Sequence, residues 1–114
     1  MLPNRKTWIS GYRTLWMMVM FDLPVVEKAE RKAATRFRNY LLDEGFHMAQ
    51  YSIYYRLLAG REAADALERR LGEQVPPKGS VHVLTITDKQ YENLRIYEGQ
   101  TRNSPRKSEQ LVLF

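Results

Sequence analysis

The sequence predicts one α+β domain in the order β-α-β-β-α-β, with two helices packed on one face of an antiparallel sheet. Three observations carry that prediction. The run "LWMMVMF" at Leu15–Phe21 is apolar without interruption and is closed by Asp22-Leu23-Pro24. The next stretch, "EKAERKAATRFRNYLLDE" at residues 27–44, changes to a period of three and four. Strand-like and helix-like patterns then recur in "FHMAQYSIYYRLL", "GREAADALERRLGEQV" and "SVHVLTIT". At 114 residues the chain has room for a modest core, and contacts with a second copy would add appreciably to its stability.

The first strand has no polar alternation, which predicts a central strand buried on both faces. In the first helix, Ala29, Ala33, Phe37, Tyr40, Leu41 and Glu44 fall at helical spacing, their apolar members forming a stripe, and Gly45 supplies the stop. Residues 46–58 read as two short strands meeting at Gln50-Tyr51 or as one bent strand, with Ile53, Tyr55 and Leu57 opposite Ser52, Tyr54 and Arg56. The second helix has an inner stripe of Ala63, Leu67, Leu71 and Val75. "PPKG" is a turn and "SVHVLTIT" a strand, apolar on both faces for much of its length. Thr87 with Gln90 predicts a capped helical turn, followed by a strand at Arg95–Glu98. The division is a basic N-terminal extension at residues 1–14, the domain at 15–98, and a polar linker with a terminal strand, "QLVLF", at 99–114.

Composition narrows the chemistry. No cysteine is present, which excludes disulfides, thiolate metal sites and a cysteine nucleophile. The longest apolar run is far too short for a bilayer, and the N-terminus lacks a secretory pattern; the expectation is a soluble protein that stays inside the cell, with no membrane partner. Lysine and arginine number 18 against 13 acids, and the excess is uneven: residues 28–38 carry Lys28, Arg31, Lys32, Arg36 and Arg38 against Glu30 alone. Clustered positive charge favours a polyanion partner. Lys28, Lys32 and Arg36 lie at i, i+4 and i+8 and form one stripe, flanked by Arg31 and Arg38, with Glu27 placed to pair with Arg31. Such a stripe suits phosphates and has no feature that reads bases. The basic residues near the termini, Arg5, Lys6, Arg102, Arg106 and Lys107, are the alternative surface.

Two helices on one face leave the other sheet face bare, yet two strands are apolar on both sides. A second copy is the economical cover, which predicts a homodimer. "QLVLF" has the same implication, because a terminal strand can complete a neighbour's sheet.

Asp22 has two readings. It ends a strand before a turn, or it stands at the strand's carboxyl end for chemistry. One carboxylate is a poor magnesium site, but a two-fold axis can bring two together. Glu27 and Glu30 open a helix, Glu62, Asp65, Glu68 and Glu73 form a solvated face, and His47 and His82 are isolated in strands. No second ligand or base accompanies Asp22, which argues for weak or absent catalysis.

In combination, "MVMFDLPV", "FRNYLLDEGFHMAQYSIYYRL", "PPKGSVHVLTITDKQYENLRI" and the closing "QLVLF" resemble the second core adaptation protein family of CRISPR systems, in its type II form. The similarity covers residues 12–114. It implies a ferredoxin-like fold and a homodimer with sheets face to face. It also implies C-terminal segments, here Leu111, Val112, Leu113 and Phe114, that complete the opposite subunit's sheet or dock a partner. Members of that family act as magnesium-dependent endonucleases on RNA or duplex DNA, and as the central bridge between CRISPR-associated integrase dimers, holding a captured duplex. The family's metal-binding Asp falls on Asp22, with one Mg2+ or Mn2+ shared across the dimer. Its basic DNA contacts fall on the region of Lys28, Arg31, Lys32 and Arg36, and its "QYS" on Gln50-Tyr51-Ser52, with Gln50 and Ser52 positioning the site.

Three functions follow as expectations. The first is a structural, duplex-binding subunit of spacer acquisition that bridges integrase dimers. The second is a metal-dependent phosphodiesterase using Asp22 from both chains. A toxin-like ribonuclease acting alone is the third; it fits size and charge but leaves the bare sheet face and terminal strand unexplained.

Overall fold

The computed structural model describes residues 14–99. The N-terminal extension up to residue 13, most of the linker and the terminal strand with Leu111–Phe114 lie outside them. The elements are β1 (Leu15–Asp22), α1 (Lys28–Asp43), β2 (His47–Gln50), β3 (Ile53–Leu58), α2 (Arg61–Gly72), β4 (Ser80–Thr87) and a short α3 (Asp88–Glu92). The sheet order is β2-β3-β1-β4 with every neighbouring pair antiparallel, the ferredoxin-like β-α-β-β-α-β arrangement. No helix among the described residues is long and apolar enough to cross a membrane.

β1 pairs with β3 on one edge and β4 on the other, and it offers apolar groups to both faces. Leu15, Met17, Val19 and Phe21 are buried against the helices, whereas Trp16, Met18 and Met20 are half-buried on the other side. Residues 46–58 form two strands rather than one bent strand. Tyr51-Ser52 makes the turn, Ser52 at φ 67°, and a bulge between Met48 and Gln50 shifts the register of β2 on β3. The carbonyl of Ser52 accepts the Phe21 N–H at 3.0 Å, tying this turn to the end of β1.

Both helices present a narrower stripe than the expected one. α1 buries Ala34, Phe37 and Leu41, leaving Ala29 exposed, and α2 buries Ala64, Leu67 and Leu71, leaving Ala63 and Val75 exposed. The reason is phase. Steps of three then four residues stay on one line of a helix with 3.6 residues per turn, whereas repeated steps of four drift around it. Phe37 stands edge-on to Phe21 with centroids 5.3 Å apart, and Phe21 in turn meets Tyr54 at 5.7 Å, so one aromatic chain joins α1, β1 and β3.

The Thr87–Gln90 cap forms as expected: the Thr87 hydroxyl accepts the Gln90 N–H at 3.1 Å, and the Gln90 side chain accepts the Thr87 N–H at 2.9 Å. Residues 95–98 are not a strand; they follow α3 without regular structure, and Ile96 and Tyr97 are exposed. They pair with no strand of the described four-stranded sheet, so no ladder hydrogen bonds hold them extended.

Glu44, just past α1, gathers three elements. Its carboxylate takes two 3.0 Å bonds from Arg70 of α2 and one from the Tyr40 hydroxyl, and Arg56 of β3 lies 3.7 Å away. Arg70 hydrogen bonding holds the Glu44 carboxyl below its ordinary value, against the opposing effect of desolvation. A carboxylate depressed in the folded state contributes stability above its unfolded pKa and loses it as pH falls through the folded value. Wild type is therefore expected to lose more denaturant resistance between about pH 5 and pH 3 than Glu44→Gln, by urea midpoints at each pH.

Candidate nucleic-acid interface and the Asp22 rim

The sheet register sorts the candidate residues onto two surfaces. On the helix-free face the rows are Trp16 with Leu57 and Ile86, Met18 with Tyr55 and Leu84, and Met20 with Ile53 and His82, ending in Asp22 opposite Ser80. This face is largely apolar, with Leu84 in its middle row 47% exposed. One end is closed by α3. Tyr91 stacks on Trp16 at 4.0 Å, and Asp88 accepts the indole N–H at 2.7 Å.

Asp22 is the last residue of β1, is exposed, and by alternation belongs to this helix-free face. Its backbone is held closely. A Cβ at Gly79 would stand 2.7 Å from the Asp22 carbonyl oxygen, and Gly79 has φ +98°, so both space and conformation require glycine there. Gln50 and Ser52 come to the same end of the sheet, through the β2–β3 turn bonded to Phe21. Tyr51 in that turn is 89% exposed. The register also brings His82 one row from Asp22, a juxtaposition invisible in the sequence because 60 positions separate them and only the pairing of β1 with β4 aligns them. Among the described residues no group of three or more His, Cys, Asp or Glu gathers in a way that holds a metal ion.

The cationic stripe lies on the other side of the sheet. Lys28, Arg31, Lys32, Thr35, Arg36 and Asn39 line an open depression along the outer face of α1, reaching Gln74 beyond α2. Lys28, Lys32 and Arg36 are exposed, and eight residues of helix spread them over about 12 Å, some three to four base-pair steps of a duplex. The flanking arginines are differently occupied. Arg31 does not pair with Glu27; its guanidinium donates to the Val26 carbonyl at 2.7 Å and the Val25 carbonyl at 3.4 Å. Glu30 completes that clamp by accepting the N–H groups of Val26 and Glu27 at 3.1 and 3.0 Å. Arg38 lies outside the depression, beside the buried Tyr54; burial pushes the Tyr54 phenol up, and the Arg38 charge partly offsets it.

The family model described as CRISPR associated protein Cas2 matches residues 15–94. The chain belongs to the Cas2 family. A protein of Paracidovorax avenae named CRISPR-associated endoribonuclease Cas2 is 49% identical over 107 residues, covering 93% of this chain and 99% of the relative. A Flavobacterium psychrophilum protein of the same name is 41% identical over 115 residues, covering 100% of both. A solved structure described as "Crystal structure of cas2" shares the fold, with a TM-score of 0.55, 22% identity, and coverage of 81% of this chain and 93% of the other. The Cas2 fold accounts for the two-faced layout: helices with their cations on one side, a bare sheet ending in a carboxylate on the other.

Proposed function

We propose that the protein is the structural, duplex-binding subunit of a CRISPR spacer-acquisition complex. Two copies pack their helix-free faces together and bridge integrase dimers, with a captured DNA fragment lying along the α1 cations. The observation that supports a structural role most strongly is the separation of charges. Asp22 and the Lys28, Lys32 and Arg36 stripe stand on opposite faces of one sheet, so in a single chain they do not converge on one phosphate. Phosphate held by the stripe is held for position, without sequence reading. The apolar rows centred on Met18, Leu84 and Tyr55 supply the surface a second copy would cover. In this reading Leu111–Phe114 dock on the opposite subunit or on the integrase.

The position of Asp22 supports a second reading, a metal-dependent endonuclease. One carboxylate falls short of the several oxygens that Mg2+ requires, but Asp22 stands at the rim of the face proposed to be shared, where two copies would offer two carboxylates and leave places for water. Magnesium bound there would activate a water for phosphodiester hydrolysis. This chain's own part would be to hold the ion through Asp22, with Gln50 and Ser52 shaping the rim.

Asp22→Ala separates the readings. The expected result is unchanged dimerisation, duplex affinity and integration by the assembled complex, measured beside magnesium-dependent cleavage of RNA and duplex DNA. Loss of integration with assembly preserved would make the carboxylate essential and overturn the structural reading.

A further inference from the structure

α1 carries its charges in the reverse of the order a helix favours. Anionic side chains are stabilised at a helix N-terminus and cationic ones at its C-terminus. Here Lys28, Arg31 and Lys32 stand in the first turn and a half, and Glu30 of that turn is engaged in the loop clamp. The last turn has no basic residue and ends in the exposed Asp43. Among the described residues none of the ion pairs includes Asp43; its neighbour Glu44 holds Arg70 and Arg56 instead. A carboxylate without a cation at the negative end of the helix dipole opposes helix stability, so the fold alone gives no reason for it.

The depression along α1 supplies one. Its lining divides into two adjacent ridges of the helix, each stepping by four residues. Lys28, Lys32 and Arg36 make the cationic ridge. Arg31, Thr35, Asn39 and Asp43 make the second, which passes from a clamped guanidinium through a hydroxyl and an amide to a carboxylate. Thr35 and Asn39 are exposed and carry donors that suit phosphate oxygens without adding charge, whereas ionised Asp43 carries none. Resting on the duplex-binding reading above, we propose that Asp43 ends the phosphate track. A strand of the duplex runs from Lys28 past Thr35, Arg36 and Asn39, and the Asp43 carboxylate turns it away from the C-terminal end of α1. Distance keeps that effect local. Asp43 lies about 10 Å along the helix from Arg36 and about 22 Å from Lys28, against a screening length of about 8 Å at physiological salt. It repels a phosphate beyond Asn39 and leaves those at Lys28 and Lys32 held.

The test compares Asp43→Asn, Asp43→Lys and Glu68→Lys with wild type, by fluorescence titration of one mixed-sequence duplex across a salt series, beside the melting temperature of each free protein. Glu68 is exposed on α2 and outside the depression, so Glu68→Lys makes the same change of net charge elsewhere. Asp43→Asn is expected to raise duplex affinity about two- to fivefold, the scale of exposed charge–charge effects. Asp43→Lys should steepen the slope of log affinity against log salt by about 0.9, one further phosphate contact, and Glu68→Lys should leave it unchanged. Both Asp43 variants should melt at or above the wild-type temperature, because each relieves the clash with the dipole. A lowered melting temperature would make Asp43 a residue of the fold and overturn the proposal. A slope unmoved by Asp43→Lys, or steepened as much by Glu68→Lys, would overturn the track end and leave the duplex surface on α1. If changing Lys28, Lys32 and Arg36 to Ala leaves affinity and slope as in wild type, the duplex reading and the track end fall together.

Discussion

Leu84→Glu is expected to turn the proposed dimer into a folded monomer. Leu84 sits in the central row of the helix-free face, paired with Met18 and half exposed in the single chain. On an edge strand facing water the substitution costs little folding stability, within the roughly 0.5 kcal/mol typical of surface changes. In a face-to-face dimer it places two carboxylates among Met18, Tyr55 and Leu57, with no lysine or arginine in those rows. Unpaired buried charge costs several kcal/mol even after relaxation, so the dissociation constant should rise by about 1,000-fold, equivalent to about 4 kcal/mol. Sedimentation equilibrium gives the mass, and circular dichroism shows that the chain remains folded. A variant still dimeric at micromolar concentration would place the interface elsewhere.

Changing Lys28, Lys32 and Arg36 together to Ala is expected to weaken duplex binding equally for unrelated sequences. Each phosphate contact releases counterions worth about 0.9 in the slope of log affinity against log salt, so one lost stripe should flatten the slope by about 2.7. Arg31 and Arg38 are omitted for a structural reason. The Arg31 guanidinium clamps the β1–α1 loop through the Val25 and Val26 carbonyls, and Arg38 lies beside Tyr54, so removing either would mix a loss of charge with a local rearrangement. Fluorescence titrations across a salt series provide the measurement. An unchanged slope would shift the duplex surface to the termini, with Arg5, Lys6, Arg102, Arg106 and Lys107.

The parts of this layout that were legible in the sequence are those set by local periodicity. The uninterrupted run of β1, the change of period at Glu27 and the Thr87–Gln90 cap each encode their own element, and the order of elements leaves few topologies open. Helix phase was less legible. Alanines are small enough to lie on either flank of a stripe, so Ala63 and Ala64 differ only in whether the 3-4 step to Leu67 and Leu71 is kept. The ambiguity at Gln50-Tyr51 needed the Ser52 turn and its bond to Phe21, both non-local. Charge was misread where the backbone claimed it: Arg31 had a nearer acceptor in two loop carbonyls than in Glu27. The placement of His82 one row from Asp22 was not legible because a strand register, unlike a helical spacing, is set by another segment of the chain.

The central claim is that two copies of this chain carry a duplex between integrase dimers. Its most direct test is the mass of the particle formed from wild-type protein, its CRISPR-associated integrase and a duplex fragment, measured by native mass spectrometry. The account predicts a particle containing two copies of this chain, integrase and one duplex, which fails to form with Leu84→Glu. A particle with a single copy of the chain, or an integrase–duplex particle that forms equally well without it, would contradict the claim.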